Sequence, residues 1–143
     1  MKEALSEAKK SLTISEVPVG AVVVLGGEII GRGHNKSILN KDPSAHAEIE
    51  AIRNASKYIN NYRLTDTDIY VTLEPCTMCY GAIVHSRIKN IFFGARDIKS
   101  GVCGSCDDLS SKKYFNHKPQ IYGQLLEEEC SKILKDFFKS RRN

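Results

Sequence analysis

The spacing of apolar and polar positions divides the start of the chain into one helical and two extended segments. A helical spacing in "KEALSEAKKSL" (2–12) is followed by a β-rich run, "EVPVGAVVVL" (16–25). Gly26 and Gly27 separate that run from "EIIGRG" (28–33). Two adjacent glycines predict a hairpin, because a tight primed turn needs positive φ at both central residues. The chain therefore begins with a helix and two antiparallel strands.

Helical and extended patterns alternate along the remainder of the chain. They predict a helix from about His46 to Ile59, a strand over 69–73, a helix over 75–88, a strand over 90–95, a short strand over 120–124 and an amphipathic helix over 126–142. Strands separated by single helices are joined by crossovers, so the later strands should be parallel. The pattern predicts an α/β sandwich.

The stretch "DPSAHAEIEAI" places a charged residue at the head of an apolar helical stripe. Counting by three and four from Glu48 gives apolar positions, so Glu48 begins the inward face. Burial of a carboxylate is costly and raises its pKa. The alternative is an acid in the first turn that faces solvent, with Asp42 as helix cap and Pro43 as first helical residue. This stretch alone favours the alternative.

A second stretch, "LEPCTMC" (73–79), follows the central predicted strand. Pro75 suits the start of a helix, and Cys76 and Cys79 are three residues apart, so both thiols lie on one face of the first turn. The positive end of the helix dipole lowers thiol pKa there, which favours the thiolate that a metal needs. By itself, a Cys-x-x-Cys pair is compatible with a zinc site, a redox pair or simple packing.

The two stretches together predict more than either does alone. Two thiolates and the imidazole of His46 leave the fourth tetrahedral position of zinc open, which is the arrangement of a catalytic site. A buried Glu48 could then accept a proton from water and return it to a substrate. Residues two apart on a helix point to different sides, so the helix must begin near His46.

Composition narrows the class of protein. A chain of 143 residues, 41% of them hydrophobic, fits one globular domain spanning 1–143. No apolar run is long enough to cross a bilayer, and the opening residues lack the apolar centre of a secretory signal, which predicts a cytoplasmic protein. A formal charge of +4 permits nucleic-acid binding without requiring it. Five cysteines in a reducing compartment indicate metal or redox chemistry more than disulfides.

His-Ala-Glu followed by Pro-Cys-x-x-Cys resembles the signature of the zinc-dependent nucleoside and nucleobase deaminases. More narrowly, the chain resembles the bacterial tRNA adenosine deaminases along nearly its whole length. The matching stretches are "EVPVGAVVV", "DPSAHAEI", "NYRL", "IYVTLEPCTMC", "GAIVHSRI", "FFGARD" and "DFFKSRR". The resemblance implies a cytidine deaminase-like fold, a three-layer α/β/α sandwich with a central mixed five-stranded sheet.

The resemblance also implies roles for particular residues. His46, Cys76 and Cys79 would hold one zinc ion per subunit, and Glu48 would shuttle protons as hydroxide attacks C6 of adenine. The positions that would contact the substrate are Asn35, Val17, Leu73, Asp97, Phe137 and Phe138. Without the family, Asn35 suits an ordinary turn, Val17 and Leu73 suit the core, and helical spacing places at least one of the two phenylalanines in the core.

The expected substrate is the wobble adenosine (position 34) of an arginine tRNA with an ACG anticodon, held by its anticodon stem-loop. The resemblance also implies a homodimer, with no membrane and no DNA partner expected. Lysine and arginine residues near the end of the last helix suit a phosphate-binding face, although they also simply complement the helix dipole. Aromatic residues among these basic residues favour RNA, whose splayed loop nucleobases stack on such side chains.

Two other functions stay open. One is a deaminase of free guanine or a pyrimidine nucleotide, which would use the same zinc chemistry in a different pocket. The other is a structural zinc module, in which Cys103 and Cys106 join Cys76 and Cys79 in a closed four-thiolate site. Inert loop thiols are the favoured interpretation of Cys103 and Cys106.

Overall fold

The protein consists of a mixed sheet with helices on both faces. A computed structural model describes residues 1–142. Its elements are α1 (Lys2–Thr13), β1 (Gly20–Leu25), β2 (Glu28–His34), α2 (Ala47–Ile59), β3 (Thr67–Leu73), α3 (Thr77–His85), β4 (Asn90–Ala95), a short 3-10 helix (Leu109–Ser111), β5 (Gln120–Tyr122) and α4 (Glu127–Arg141). Within residues 1–142, no helix combines the length and the apolar character needed to span a membrane.

The five strands lie in the order β2-β1-β3-β4-β5. β1 is antiparallel to both β2 and β3, whereas β3, β4 and β5 are parallel. The predicted hairpin is confirmed: Leu25 pairs with Glu28, and the turn residues Gly26 and Gly27 have φ of 57° and 81°. The predicted parallel arrangement of the later strands is also confirmed.

The helices form one layer on each face of the sheet. Gly20 of β1 lies against α1, and Gly94 of β4 lies against Cys130 of α4, on the same face. α2 packs on β2 from the opposite face and contacts α3. Among the largest fully buried side chains are Tyr80, Leu64, Ile69, Ile83, Ile88 and Ile91. The three-layer α/β/α sandwich expected from the sequence is confirmed.

Small residues let α2 approach the sheet closely. Its inward positions include Ala47, Ala51 and Ala55, all of them fully buried. Ala47 and Ala51 face Gly33 of β2, where an added Cβ would lie 2.4 Å from the carbonyl oxygen of Ala47 and 2.5 Å from the nitrogen of Ala51, and Ala55 lies against Gly31. This close contact fixes the first turn of α2 beside the end of β2.

Some element ends differ from the predictions. β1 begins at Gly20 and not at 16. The segment before it does not continue the strand; instead Glu16 is buried and its carboxylate accepts hydrogen bonds from a later loop. α3 begins at Thr77, because Cys76 is still extended, and it ends at His85. β5 is shorter than predicted and ends at Tyr122.

Candidate active site

Two helices begin side by side at the site. His46 is the N-cap of α2, with φ −75° and ψ 157°, and Cys76 is the N-cap of α3, with φ −82° and ψ 176°. Because both caps are extended, their side chains project from the helix ends. The prediction that α2 starts near His46 is confirmed. The alternative start at Pro43 is wrong, because the carboxylate of Asp42 accepts hydrogen bonds from Ser44 and the helix begins only at Ala47.

The side chains of His46, Cys76 and Cys79 converge on one point. Nδ1 of His46 lies 3.7 Å from Sγ of Cys76 and 3.5 Å from Sγ of Cys79. The ligand atoms of all three lie within 4.8 Å of one another. Nitrogen and sulfur ligands of one tetrahedral zinc ion are about 3.6 Å apart. The donor set therefore fits a single metal ion.

Cys103 and Cys106 do not join this group. Within residues 1–142, only His46, Cys76 and Cys79 form a cluster of potential metal ligands. A structural module with four thiolates on one metal is therefore wrong for this fold. Cys103 is half-buried and Cys106 is exposed on the loop after β4.

The cluster favours a thiolate. The hydrogen bond from Cys79 lowers the pKa of Cys76 to about 4, and the hydrogen bond with His46 acts in the same direction. The same contact with Cys76, together with burial, raises the pKa of Cys79. The hydrogen bond to Cys76 also raises the pKa of His46. One negative charge is thus held on Cys76, in the form that binds a metal.

Glu48 lies beside this cluster and is only 4% exposed. Burial raises its pKa to about 7, and the charge of Cys76 acts in the same direction. The interpretation of Glu48 as a solvent-facing acid is wrong, because α2 turns this side chain inward from its first turn. A carboxyl group that titrates near neutral pH is suited to give and take protons.

A cleft of about 220 Å³ opens above the cluster. Its lining consists of Val17, Val19, Asn35, His46, Glu48, Leu73, Glu74, Cys76, Asp97 and Ser100. Val17 and Leu73 are half-buried in its wall and do not belong to the fully buried core. The structure therefore brings together the metal-ligand candidates, Glu48 and four of the six predicted substrate contacts.

Asn35 connects the end of β2 to the start of α2. Its side-chain oxygen accepts a hydrogen bond from the backbone N–H of Ala47, 2.9 Å away. This bond supplies the cap that the side chain of His46 does not provide. Because the oxygen is engaged, the amide NH₂ is the end of Asn35 that can donate to a ligand.

Sequence reasoning missed Glu74, which is 2% exposed in the wall of the cleft. Its carboxylate accepts hydrogen bonds from the backbone nitrogens of Asp97 (3.2 Å), Cys103 (2.9 Å) and Ser105 (3.2 Å), and from the hydroxyl of Ser105. Glu74 thereby ties the end of β3 to the loop after β4. The sequence signal that could have identified Glu74 is its position, an acidic residue directly after an apolar strand and before Pro75.

Sequence reasoning also missed Glu16, whose carboxylate accepts hydrogen bonds from the backbone nitrogens of Ile38 and Leu39, both at 2.8 Å. The residue is 3% exposed. It holds the loop between β2 and α2 next to Asn35. Nothing in its spacing distinguished it from a surface acid.

A groove of about 740 Å³ continues from the cleft to the end of α4. Its lining consists of Val17, Leu73, Arg96, Asp97, Ile98, Lys99, Ser100, Leu134, Phe138, Arg141 and Arg142. Phe138 is 45% exposed there, and half-buried Phe137 packs under the guanidinium of Arg141 with 4.8 Å from ring centre to carbon. The prediction from helical spacing that one of these phenylalanines enters the core is wrong.

The groove is basic. Arg96, Lys99, Arg141 and Arg142 line it, and within residues 1–142 none of them forms an ion pair with an acid. Lys132, an earlier basic residue of α4, instead forms an ion pair with Asp136 at 2.6 Å. Only the last turn of the helix therefore contributes its charge to the groove.

A mixed sheet that presents one histidine, two cysteines and a buried glutamate at two helix starts is the arrangement of the zinc-dependent deaminases. The comparisons agree with this class. A family model described as MafB19-like deaminase matches residues 1–142. The fold, the site and the family model thus identify the chain as a deaminase.

Two curated relatives are tRNA-specific adenosine deaminases. The one from Buchnera aphidicola is 51% identical over 144 residues, which cover 99% of this chain and 88% of the relative. The one from Haemophilus influenzae is 51% identical over 143 residues, which cover 99% and 83%. A solved structure from work on A-to-I editing by tRNA:A34 deaminases has a TM-score of 0.91 and 43% identity, covering 94% of this chain and 97% of that one. The chain belongs to the tRNA-specific adenosine deaminase family and is an enzyme of the deaminase class.

Proposed function

We propose that this protein hydrolyses adenosine to inosine at the wobble position (34) of tRNA, with the ACG anticodon loop of an arginine tRNA as its substrate. The observation that carries the proposal is the burial of Glu48 beside His46, Cys76 and Cys79 at the floor of a cleft. The names of the relatives support the choice of adenosine in tRNA. We place the activity in one domain spanning 1–143, and in the cytoplasm.

One zinc ion per subunit is the proposed cofactor, held by His46, Cys76 and Cys79. When bound, zinc supplies a Lewis acid that lowers the pKa of water. Glu48 accepts a proton from the attacking water and delivers it to N1 of the purine. As the water oxygen bonds to C6, Glu48 takes the second proton of that oxygen and passes it to the C6 amine. The C6–N bond then breaks, ammonia leaves, and the oxygen stays as the C6 carbonyl of inosine. A pKa of about 7 lets Glu48 act in both directions.

The cleft and the groove provide the remaining contacts. We propose that the amide NH₂ of Asn35 donates to the purine, while Val17 and Leu73 hold its faces. Asp97 stands at the mouth of the cleft, where the ribose of the target nucleoside would lie. Extrusion of adenosine from an anticodon loop costs less than extrusion from a duplex, because the base is not paired.

The groove supports a polymer substrate. Its unpaired cations suit a phosphate backbone, and exposed Phe138 offers a face on which a loop base stacks. We propose that Phe137 positions Arg141 for the same RNA through their cation–π contact. A free base would use the cleft but not this groove.

We also propose a homodimer. α3 is apolar between its end residues Thr77 and His85, yet Met78, Gly81, Ala82 and His85, at spacings of three and four, form a stripe that the single chain leaves partly or fully exposed. A helix without a polar face is normally covered. A second copy of α3 would bury the stripe, since Gly81 and Ala82 permit close approach.

The direct test is inosine formation by zinc-loaded protein on an ACG anticodon stem-loop, with free guanine and free cytidine in parallel reactions. We expect conversion of the stem-loop alone. Ammonia from a free base without inosine in the RNA would retain the deaminase chemistry and reject the tRNA substrate. Inactivity of metal-loaded protein on all three would reject the proposed function.

A further inference from the structure

Ile98 occupies the tip of a turn on the edge of the groove. It is 81% exposed, more than any other large apolar side chain in residues 1–142. Single exposed apolar residues are common on protein surfaces and by themselves indicate nothing. The turn that carries Ile98 and the surface around it distinguish this residue from an ordinary exposed one.

The backbone on both sides of Ile98 is fixed by hydrogen bonds. The carboxylate of Asp97 accepts from the backbone nitrogens of Lys99 (3.1 Å) and Ser100 (3.2 Å). The nitrogen of Asp97 donates in turn to the buried carboxylate of Glu74, 3.2 Å away. The backbone that carries Ile98 is therefore ordered before any ligand arrives, which reduces the entropy cost of binding.

The surroundings of Ile98 match one kind of ligand. The groove that it lines also contains Phe138 and the unpaired cations Arg96, Lys99 and Arg141. The groove shares the walls Val17 and Leu73 with the cleft above Glu48. Exposed apolar side chains among unpaired cations suit a ligand that carries negative charge and flat apolar faces, which describes a single-stranded RNA loop.

We propose that Ile98 is a substrate-binding residue, an apolar wedge that contacts the base next to the target adenosine and holds that base out of the loop stack. This inference rests on the proposed function. Apolar side chains inserted between bases unstack them, and the cost is recovered through contacts that the opened strand permits. Ile98 follows Asp97, which lines both the cleft and the groove, so a wedge there acts where the adenosine must leave its neighbour.

The test is kcat/KM for inosine formation by wild type and Ile98→Ala, each on the intact stem-loop and on two stem-loops with an abasic nucleotide on either side of the adenosine. On intact RNA we expect Ile98→Ala to lose about tenfold, as for loss of one apolar base contact. With the contacted base removed, wild type and Ile98→Ala should differ by less than about twofold. Ile98→Leu, which keeps the apolar area, should stay near wild type.

Ile38→Ala is the matched control, because it removes an isoleucine that is 73% exposed and lines neither the cleft nor the groove. It should leave every rate unchanged. An Ile98→Ala protein with wild-type kcat/KM, or one that is equally impaired on intact and both abasic RNAs, overturns the wedge while wild-type conversion upholds the proposed function. A wild type that converts no RNA overturns both.

Discussion

At the scale of single residues, the charge of Glu48 separates binding of the metal from turnover. Glu48→Gln keeps the shape of the side chain and removes its ability to accept a proton. Because Glu48 is not among the proposed ligands, metal content should stay at one ion per chain while kcat falls by about 100- to 10,000-fold. Metal analysis and inosine formation on the same preparation measure the two effects.

His46→Ala should lose both metal and activity. Glu50→Gln is the control, since Glu50 is in the same helical turn, lies 3.5 Å from Arg53 and does not line the cleft. A Glu48→Gln protein with normal turnover would remove the proposed proton transfer.

Tyr80 allows a second test at this scale. It is fully buried, and its hydroxyl has no hydrogen-bond partner within residues 1–142. Burial raises the pKa of Tyr80 to about 12, so the hydroxyl remains neutral. A buried hydroxyl without a partner costs about 1 kcal/mol or more, so Tyr80→Phe should increase the free energy of unfolding by about 1 kcal/mol.

Thermal and denaturant unfolding would measure this gain. Tyr114→Phe, at a residue that is 74% exposed, should leave stability unchanged. A Tyr80→Phe protein less stable than wild type would show that the hydroxyl makes a favourable contact.

At the scale of elements, the distance between α2 and the sheet depends on Gly33. A Cβ at this position would collide with the backbone of α2, so Gly33→Ala should lower the free energy of unfolding by about 1–3 kcal/mol. The displaced helix carries His46 and Glu48, so activity should fall as well. Chemical denaturation and the rate of inosine formation measure the two losses.

The same substitution at Gly81 is the control for Gly33→Ala. An added Cβ there meets no atom within 4 Å, and the residue is helical. At protein concentrations at which the chain is monomeric, Gly81→Ala should therefore stabilise it by up to about 1 kcal/mol. Equal effects of the two substitutions would contradict the close packing of α2 on β2.

The contact of α1 with β2 includes a buried acid. Glu7, whose side chain is 3% exposed, lies 2.6 Å from Lys10, 3.3 Å from Arg32 and 3.5 Å from His34. Burial alone would raise the pKa of Glu7, but the hydrogen bonds from Lys10, Arg32 and His34 lower it below 4.5. Burial lowers the pKa of His34, so the charged partners at neutral pH are Lys10 and Arg32.

A lowered pKa means that ionised Glu7 stabilises the fold above pH 4.5, and that this contribution disappears as pH falls through the folded pKa. Glu7→Gln should thus cost about 1–3 kcal/mol at pH 7, and less at pH 3. Denaturant unfolding at the two pH values measures the difference. Glu3→Gln, which changes an exposed partner of Arg32, should cost little at either pH. A constant cost for Glu7→Gln would exclude the charge as its cause.

At the scale of the whole molecule, the proposed homodimer predicts that Gly81→Arg separates subunits without unfolding them. The space around Gly81 accepts a side chain in the single chain, whereas a paired α3 would collide with it. Sedimentation should show a dimer for wild type and a monomer for Gly81→Arg. Ser140→Arg, an exposed change on α4, should remain dimeric. A dimeric Gly81→Arg protein would place the interface elsewhere.

The features that the sequence predicted correctly are those set by residues close together in the chain. The glycine pair determined the hairpin, because positive φ at both positions is a property of those residues alone. Apolar periodicity located the four α-helices and the five strands of residues 1–142, with errors at the ends, but not the 3-10 helix Leu109–Ser111. The spacing of Cys76 and Cys79 set both thiols at one helix start. Each of these features depends on interactions within a few residues, so the sequence by itself determined them.

Contacts between distant segments decided the rest. The stretch around Glu48 by itself favoured exposure of this side chain to solvent, and its burial came from the close packing of α2 on β2. The roles of Glu74 and Glu16 depend on backbone N–H groups from loops more than 20 residues away, and the position of Phe138 depends on where α4 crosses the sheet. Burial and long-range hydrogen bonds are sums over many separate contacts. Only the tertiary structure determines them, since no short stretch of sequence contains both partners.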